Sequence, residues 1–112
     1  MTTLISREEL RIAIEQDKVT VLDALGEHYW AQQHLPGAVP LVADEVATRA
    51  PELLPDKAAA IVTYCSNPAC GNSQAVASKL EALGYTDVRK YAGGIEDWVT
   101  AGLPVSSAPA RA

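Results

Sequence analysis

Apolar residues in this chain follow two kinds of pattern. Between Ser6 and Asp17, Leu10, Ile12, Ala13 and Ile14 supply the apolar face of a short helix, opened by a capping box in which Ser6 stands three residues before Glu9. Val19-Thr20-Val21-Leu22 is instead β-branched and almost continuously apolar, which predicts a strand buried on both faces of a parallel sheet and ending at Asp23. Gly26 to Gln33 reads as a short helix carrying Tyr29 and Trp30, and Pro36-Gly37 as a turn into a brief strand at Ala38 to Val42. A helix over Asp44 to Ala50 is expected to stop at Pro51. The run Ala59 to Tyr64 lacks alternation and reads as a central strand, with Cys65 at its carboxyl end. Val76, Ala77, Leu80 and Leu83 recur at helical spacing, predicting a helix from Asn72 or Ser73 to Leu83 with Gly84 as its C-cap. Val88 to Ala92 is a last short strand, Gly93-Gly94 a turn, and Ile95 to Ala101 a short helix closed by Gly102 and Pro104.

Strands alternating with helices imply an α/β sandwich with a mainly parallel sheet. At 112 residues the chain is one domain, placed at 1–105, and the stretch 106–112 reads as a flexible tail. With 48% hydrophobic residues but no Phe and one Met, the core must be filled by Leu, Val, Ile and Ala, with Tyr29, Trp30 and Trp98 expected in or at the edge of it. The formal net charge of −5 is opposite to what a nucleic-acid partner requires. No apolar run approaches the ~20 residues that span a bilayer, so no membrane association is expected. Met1 to Arg7 lacks the features of a signal peptide, and a cytoplasmic location is the default expectation. Two cysteines five positions apart in a reducing compartment suggest reactive or buried thiols rather than a staple or a metal site.

In open parallel sheets, ligands sit beyond the carboxyl ends of the strands, where loops lead into helix N-termini. Cys65 occupies such a place. Ser66, Asn67, Pro68, Ala69, Cys70, Gly71, Asn72 and Ser73 follow it, small or turn-forming residues whose backbone N–H groups are expected to form an anion cradle. The positive end of the following helix should lower the Cys65 pKa and make it a nucleophile near neutral pH. Cys70 reads either as packing beneath the loop or as a thiol that resolves an oxidised or persulfidated Cys65. Asp23 and His34 are expected to organise loop backbone from a second shell, and Ser73 either to cap its helix or to donate to a sulfur. No residues at metal-ligand spacing accompany His28 or His34.

Three segments in order resemble the rhodanese-like domain family, over nearly the whole chain from Ile5 to Pro104. Val21 to Asp23 followed by His34-Leu35-Pro36-Gly37-Ala38 is similar to the family's strand ending in Asp and its H-I-P-G-A stretch. Ile61 to Leu83 resembles the strand ending in Tyr-Cys with its loop and helix, and Gly93 to Val105 resembles the closing G-G-x-x-x-W-x-x-A-G-x-P-V. The resemblance implies a five-stranded parallel sheet between helical layers. It also implies a cysteine, here Cys65, that takes sulfane sulfur from a donor such as thiosulfate or 3-mercaptopyruvate and passes it as a persulfide to a thiophilic acceptor, with no metal or organic cofactor.

This loop departs from the family pattern. It is two residues longer than the usual C-x-x-G-x-R, Asn72 stands at the place of the Arg, and Leu25 stands where an Arg commonly follows the strand's Asp. Losing both guanidinium groups argues against efficient use of a dianionic donor. A loop of changed length is also similar to tyrosine-type and arsenate-reducing phosphatase relatives, but the absent Arg counts against that chemistry. The expected function is therefore a sulfurtransferase or persulfide carrier using Cys65, its partners a small-molecule sulfur donor and a thiophilic acceptor that includes protein thiols. The alternatives are a catalytically weak binding or sensing module and a dithiol redox protein using Cys65 and Cys70.

Overall fold

The structure, a computed structural model, describes residues 2–107. In chain order the elements are β1 (Thr3–Leu4), α1 (Arg7–Glu15), β2 (Thr20–Asp23), α2 (Glu27–Gln32), β3 (Val39–Pro40), a 3₁₀ turn (Ala43–Glu45), α3 (Val46–Leu53), β4 (Ile61–Tyr64), α4 (Asn72–Ala82), β5 (Val88–Tyr91) and α5 (Gly94–Thr100). The five strands form one sheet in the order β1-β5-β4-β2-β3, and every pairing is parallel. β4 is central, as its unbroken apolar run requires; Ile61, Val62, Thr63 and Tyr64 are all fully buried.

Alternation along the central strands divides the core between two helical layers. Leu22, Ile61 and Val88 face α3 and α4, where Val46, Ala50, Val76, Ala77 and Leu80 cover them. Val21, Val62, Tyr64 and Tyr91 face α1 and α5, against Leu10, Ile95 and Trp98. A three-layer α/β/α sandwich results. With no Phe available, Trp98 fills the second layer, set edge-on to Tyr91 with ring centroids 6.1 Å apart and its indole N–H donating to the Pro104 carbonyl.

The capping box forms as expected, since the Glu9 N–H donates to Ser6 Oγ and the Ser6 N–H donates back to Glu9 Oε1. Four expectations need correction. β1 is an additional edge strand of two residues, too short to leave a periodic signal; it pairs with Arg89 and Lys90 of β5. Pro51 lies inside α3 rather than ending it. The hydrogen bond it forfeits is a local cost, and burial of Val46 and Ala50 together with the Tyr85 hydroxyl, 2.6 Å from the Leu54 carbonyl, keeps the last turn in place. Tyr29 is exposed. Ser106, read as the start of a tail, makes an antiparallel bridge with His34 through two backbone hydrogen bonds of 2.9 and 2.8 Å; residues 108–112 of that tail lie outside the described residues.

A buried polar network holds the carboxyl ends of β2 and β4 together. The Tyr64 hydroxyl donates to Asp23 Oδ2 at 2.7 Å and accepts the Leu35 N–H at 3.1 Å, while Asp23 Oδ1 accepts the Leu25 N–H at 2.8 Å. His34 donates from Nδ1 to the Trp30 carbonyl and stacks on the Trp30 ring at 4.4 Å, so it fastens α2 to the turn that follows. Burial raises the Asp23 pKa above its ordinary 3.8, against the lowering effect of the Tyr64 and Leu25 donors.

Tyr64→Phe strands the Leu35 N–H and one carboxylate oxygen, and should lower the unfolding free energy by about 1–3 kcal/mol in a urea titration. Because the folded-state pKa of Asp23 is raised, its contribution to stability is fully present below pH 3.8 and is lost as pH rises through the folded-state value. Asp23→Asn should remove that decline, seen as a flatter dependence of the urea midpoint on pH.

Candidate functional site at the Cys65 loop

Cys65 follows the last residue of β4 and is 2% exposed. Its side chain faces the α3 and α4 layer, opposite to the Tyr64 and Asp23 network. Asp23 and His34 therefore do not form a second shell around the sulfur; they act on the strand end and turn behind it. The residues gathered at the thiol are Cys70 and Ser73. Cys65 Sγ donates to the Cys70 carbonyl at 3.4 Å and lies 3.5 Å from Ser73 Oγ. Ser73 is buried, and no side chain caps α4, whose N-cap is Gly71. Of its two expected roles, Ser73 thus takes the one at the sulfur.

Three anchors shape the loop. Asn67 makes the turn: its Oδ1 accepts the Ala69 N–H and its carbonyl accepts the Cys70 N–H, leaving Pro68 and Ala69 exposed on the outer curve. Asn72, at the place of the missing Arg, donates from Nδ2 to the Ala24 carbonyl at 3.3 Å and so joins the loop to the end of β2. Across the loop, the first turn of α5 donates to the two carbonyls that follow β4, Ile95 N–H to Cys65 at 2.9 Å and Glu96 N–H to Ser66 at 3.0 Å. Gly94 makes this possible, with φ of +71° and space so tight that a Cβ would stand 2.5 Å from the Ser66 carbonyl carbon. Sequence reasoning recognised Gly93-Gly94 only as a turn; the repeated glycine was the available signal for a close backbone approach, but its partner lies on another strand.

The cradle differs from the expected one. The Ala69 and Cys70 amides are consumed by the Asn67 turn, those of Ser66 and Asn72 point at the Cys70 sulfur, and that of Ser73 points at Cys65. The electrostatics follow. Burial and the Cys70 thiol push the Cys65 pKa up, and the Ser73 hydroxyl and N–H only partly offset this, so the expected lowering is reversed in the thiol form. Cys70 is more open. Its burial also opposes ionisation, but hydrogen bonds from the Cys65 thiol and from the Asn72 and Ser66 amides outweigh it and hold its pKa below the ordinary thiol value.

Among the described residues, none of the groups acting on Cys65 is Lys or Arg. Lys57 donates to Leu83 at the far end of α4, and Arg89 is held by Asp87. The charged side chain bound to the loop is acidic, Glu96, which accepts from Asn67 Nδ2 at 2.9 Å. Beside Asn72 a cleft of about 210 Å³, lined by Ala24, Val42, Ala43 and Asp44, adds a second carboxylate near the loop. Leu25 packs with the apolar residues of both layers.

The parallel sheet between two helical layers, with a cysteine on the loop from the central strand into α4, defines an open α/β domain whose strand-end loop is the candidate site. More narrowly, the chain belongs to the rhodanese-like domain family, whose sequence model matches residues 6–101. It is 32% identical over 101 residues to the HTH-type transcriptional regulator Rv0324 of Mycobacterium tuberculosis, covering 90% of this chain and 43% of the regulator, so it spans less than half of that relative's length. The crystal structure of the BH2092 protein from Bacillus halodurans is 26% identical with a TM-score of 0.86, over 95% of this chain and 77% of that one. A structure described as rhodanese with anions from E. coli is 27% identical with a TM-score of 0.66, over 80% of this chain and 98% of that one. No helix among the described residues is long and apolar enough to cross a membrane.

Gly94→Ala should cost about 3 kcal/mol or more of stability, combining a left-handed backbone with a clash against immovable carbonyls, as read by thermal unfolding. With limiting iodoacetamide at neutral pH, Cys70 should be alkylated before Cys65, and Cys65 should react only as the pH becomes alkaline. Peptide mass analysis across a pH series checks the order.

Proposed function

We propose that this domain is a sulfurtransferase that carries sulfane sulfur as a persulfide on Cys65. The observation that carries the reading is the placement of the Cys65 sulfur at the end of the central strand, with the Ser73 hydroxyl 3.5 Å away and the Ser73 amide aimed at it, donors suited to an anionic sulfur. With thiosulfate, the Cys65 thiolate attacks the outer sulfur, the S–S bond breaks, sulfite leaves with its electron pair, and an anionic persulfide remains on Cys65. A thiophilic acceptor, such as cyanide or a small-molecule or protein thiol, then attacks that outer sulfur and restores the thiolate. The free cysteines Cys65 and Cys70 fit a reducing, cytoplasmic setting.

Charge selects among donors. Without a guanidinium, and with Glu96 on the loop and Asp44 in the adjoining cleft, a dianion meets an unfavourable field. A monoanionic donor such as 3-mercaptopyruvate should therefore be used faster than thiosulfate. A second reading, a sensing module, draws on one observation: the regulator from Mycobacterium tuberculosis shows that a similar domain occurs within a longer protein named for transcriptional control.

The test is to mix reduced protein with either donor and with cyanide, and to sum the thiocyanate and sulfide released. Release that vanishes in Cys65→Ser supports the transferase; no release by the wild type from either donor overturns it and favours the sensing reading. Because the Cys65 pKa is raised, the rate of sulfur uptake should climb with pH past the ordinary thiol range before levelling. Stopped-flow single turnovers at a series of pH values measure this.

A further inference from the structure

The loop that exceeds the usual length by two residues contains the molecule's second thiol, and the structure sets that thiol inside the cradle, with the Ser66 and Asn72 amides aimed at it. The Cys65 sulfur lies 3.4 Å from the Cys70 carbonyl, and the two thiols are close enough that each shifts the other's ionisation. The Asn67 turn holds Cys70 in this place, since the Cys70 N–H donates to the Asn67 carbonyl at 3.1 Å and Asn67 is itself tied to Glu96 of α5. Cys70 is also the more accessible of the two thiols.

We infer that Cys70 is a resolving nucleophile, which discharges a Cys65 persulfide internally and releases its sulfur as hydrogen sulfide. The inference rests on the persulfide reading of Cys65 and adds the fate of its cargo. In the step, the Cys70 thiol gives its proton to the outer sulfur of the anionic Cys65 persulfide, and the resulting thiolate attacks the persulfide's Sγ. A Cys65–Cys70 disulfide bond forms, the bond to the outer sulfur breaks, and that sulfur leaves as HS⁻ with the bonding pair and the proton it received. The sulfane sulfur is reduced, and the two cysteine sulfurs are oxidised to the disulfide. A dithiol reductant, small or protein-borne, returns both cysteines to thiols and is oxidised in turn.

Two features of the loop support this assignment. The Ser66 and Asn72 amides stabilise negative charge on Cys70, which lowers its pKa while burial raises that of Cys65, so of the two thiols Cys70 is the easier to ionise. Moreover, no Lys or Arg among the described residues acts on the Cys65 sulfur, so a persulfide there is less firmly retained than it would be beside a guanidinium.

The test is a single turnover. Reduced wild type, Cys70→Ser and Cys70→Ala are loaded with 3-mercaptopyruvate, freed of donor and reductant by rapid desalting, and followed by acid-quenched intact mass and by a sulfide assay. The wild type should release one equivalent of sulfide and end lighter than the reduced protein by two hydrogens, and dithiothreitol should restore the reduced mass. Both variants should keep the added sulfur until cyanide removes it, with release of sulfide lost. A wild type that holds its persulfide as long as the variants, or variants that release sulfide as fast as the wild type, overturns the resolving role. A wild type that never takes up sulfur shows instead that the persulfide reading itself is wrong, a result distinct from uptake without release.

Discussion

The geometry of the site depends on a backbone contact between two parts of the chain nearly thirty residues apart: the first N–H groups of α5 donate to the carbonyls of Cys65 and Ser66. A parallel strand that ends at a sheet's edge of function leaves carbonyls with no ladder partner, and a helix begins with N–H groups that have none. Here each set satisfies the other. The approach is close enough that residue 94 must lack a side chain. The same helix then turns Glu96 toward Asn67 and Trp98 into the core, so one short element closes the strand end, anchors the loop and fills a layer.

On the other side of the loop, polar contacts stand in for the charged ones of the family pattern. Asn72 reaches the Ala24 carbonyl, and Ala24 follows Asp23, whose buried carboxylate is bound to Tyr64, the residue before Cys65. The loop is therefore held by Asn72 on the Ala24 carbonyl at one end and by Asn67 on the Glu96 carboxylate at the other. These fix shape without supplying positive charge. The consequence is a thiol whose ionisation is opposed by burial and by the second thiol, and which gets help from the Ser73 hydroxyl and amide.

The elements that were legible in the sequence were those whose signal is local. The Ser6 capping box, the unbroken apolar run of β4 and the helical spacing of Val76, Ala77 and Leu80 each encode structure within a few residues, and each formed as read. Local rules failed where tertiary packing was stronger. Pro51 is a helix breaker by its own chemistry, yet the burial of α3 and the Tyr85 hydroxyl hold the helix through it. β1 carries no pattern of its own and exists because the edge of β5 offers it a ladder.

For the candidate site, the sequence by itself determined the place of the thiol: a cysteine ending a buried strand, a small-residue loop and a helix, with no Arg at either usual position. Those are properties of residue order and composition. What only the tertiary structure decided was the state of the two thiols. Whether an amide points at Cys65 or at Cys70 depends on which N–H groups the Asn67 turn has already used, and on how deeply α3 and α4 bury the strand end. Those are balances between groups distant in sequence, and a thiol's pKa is set by such surroundings rather than by its neighbours along the chain.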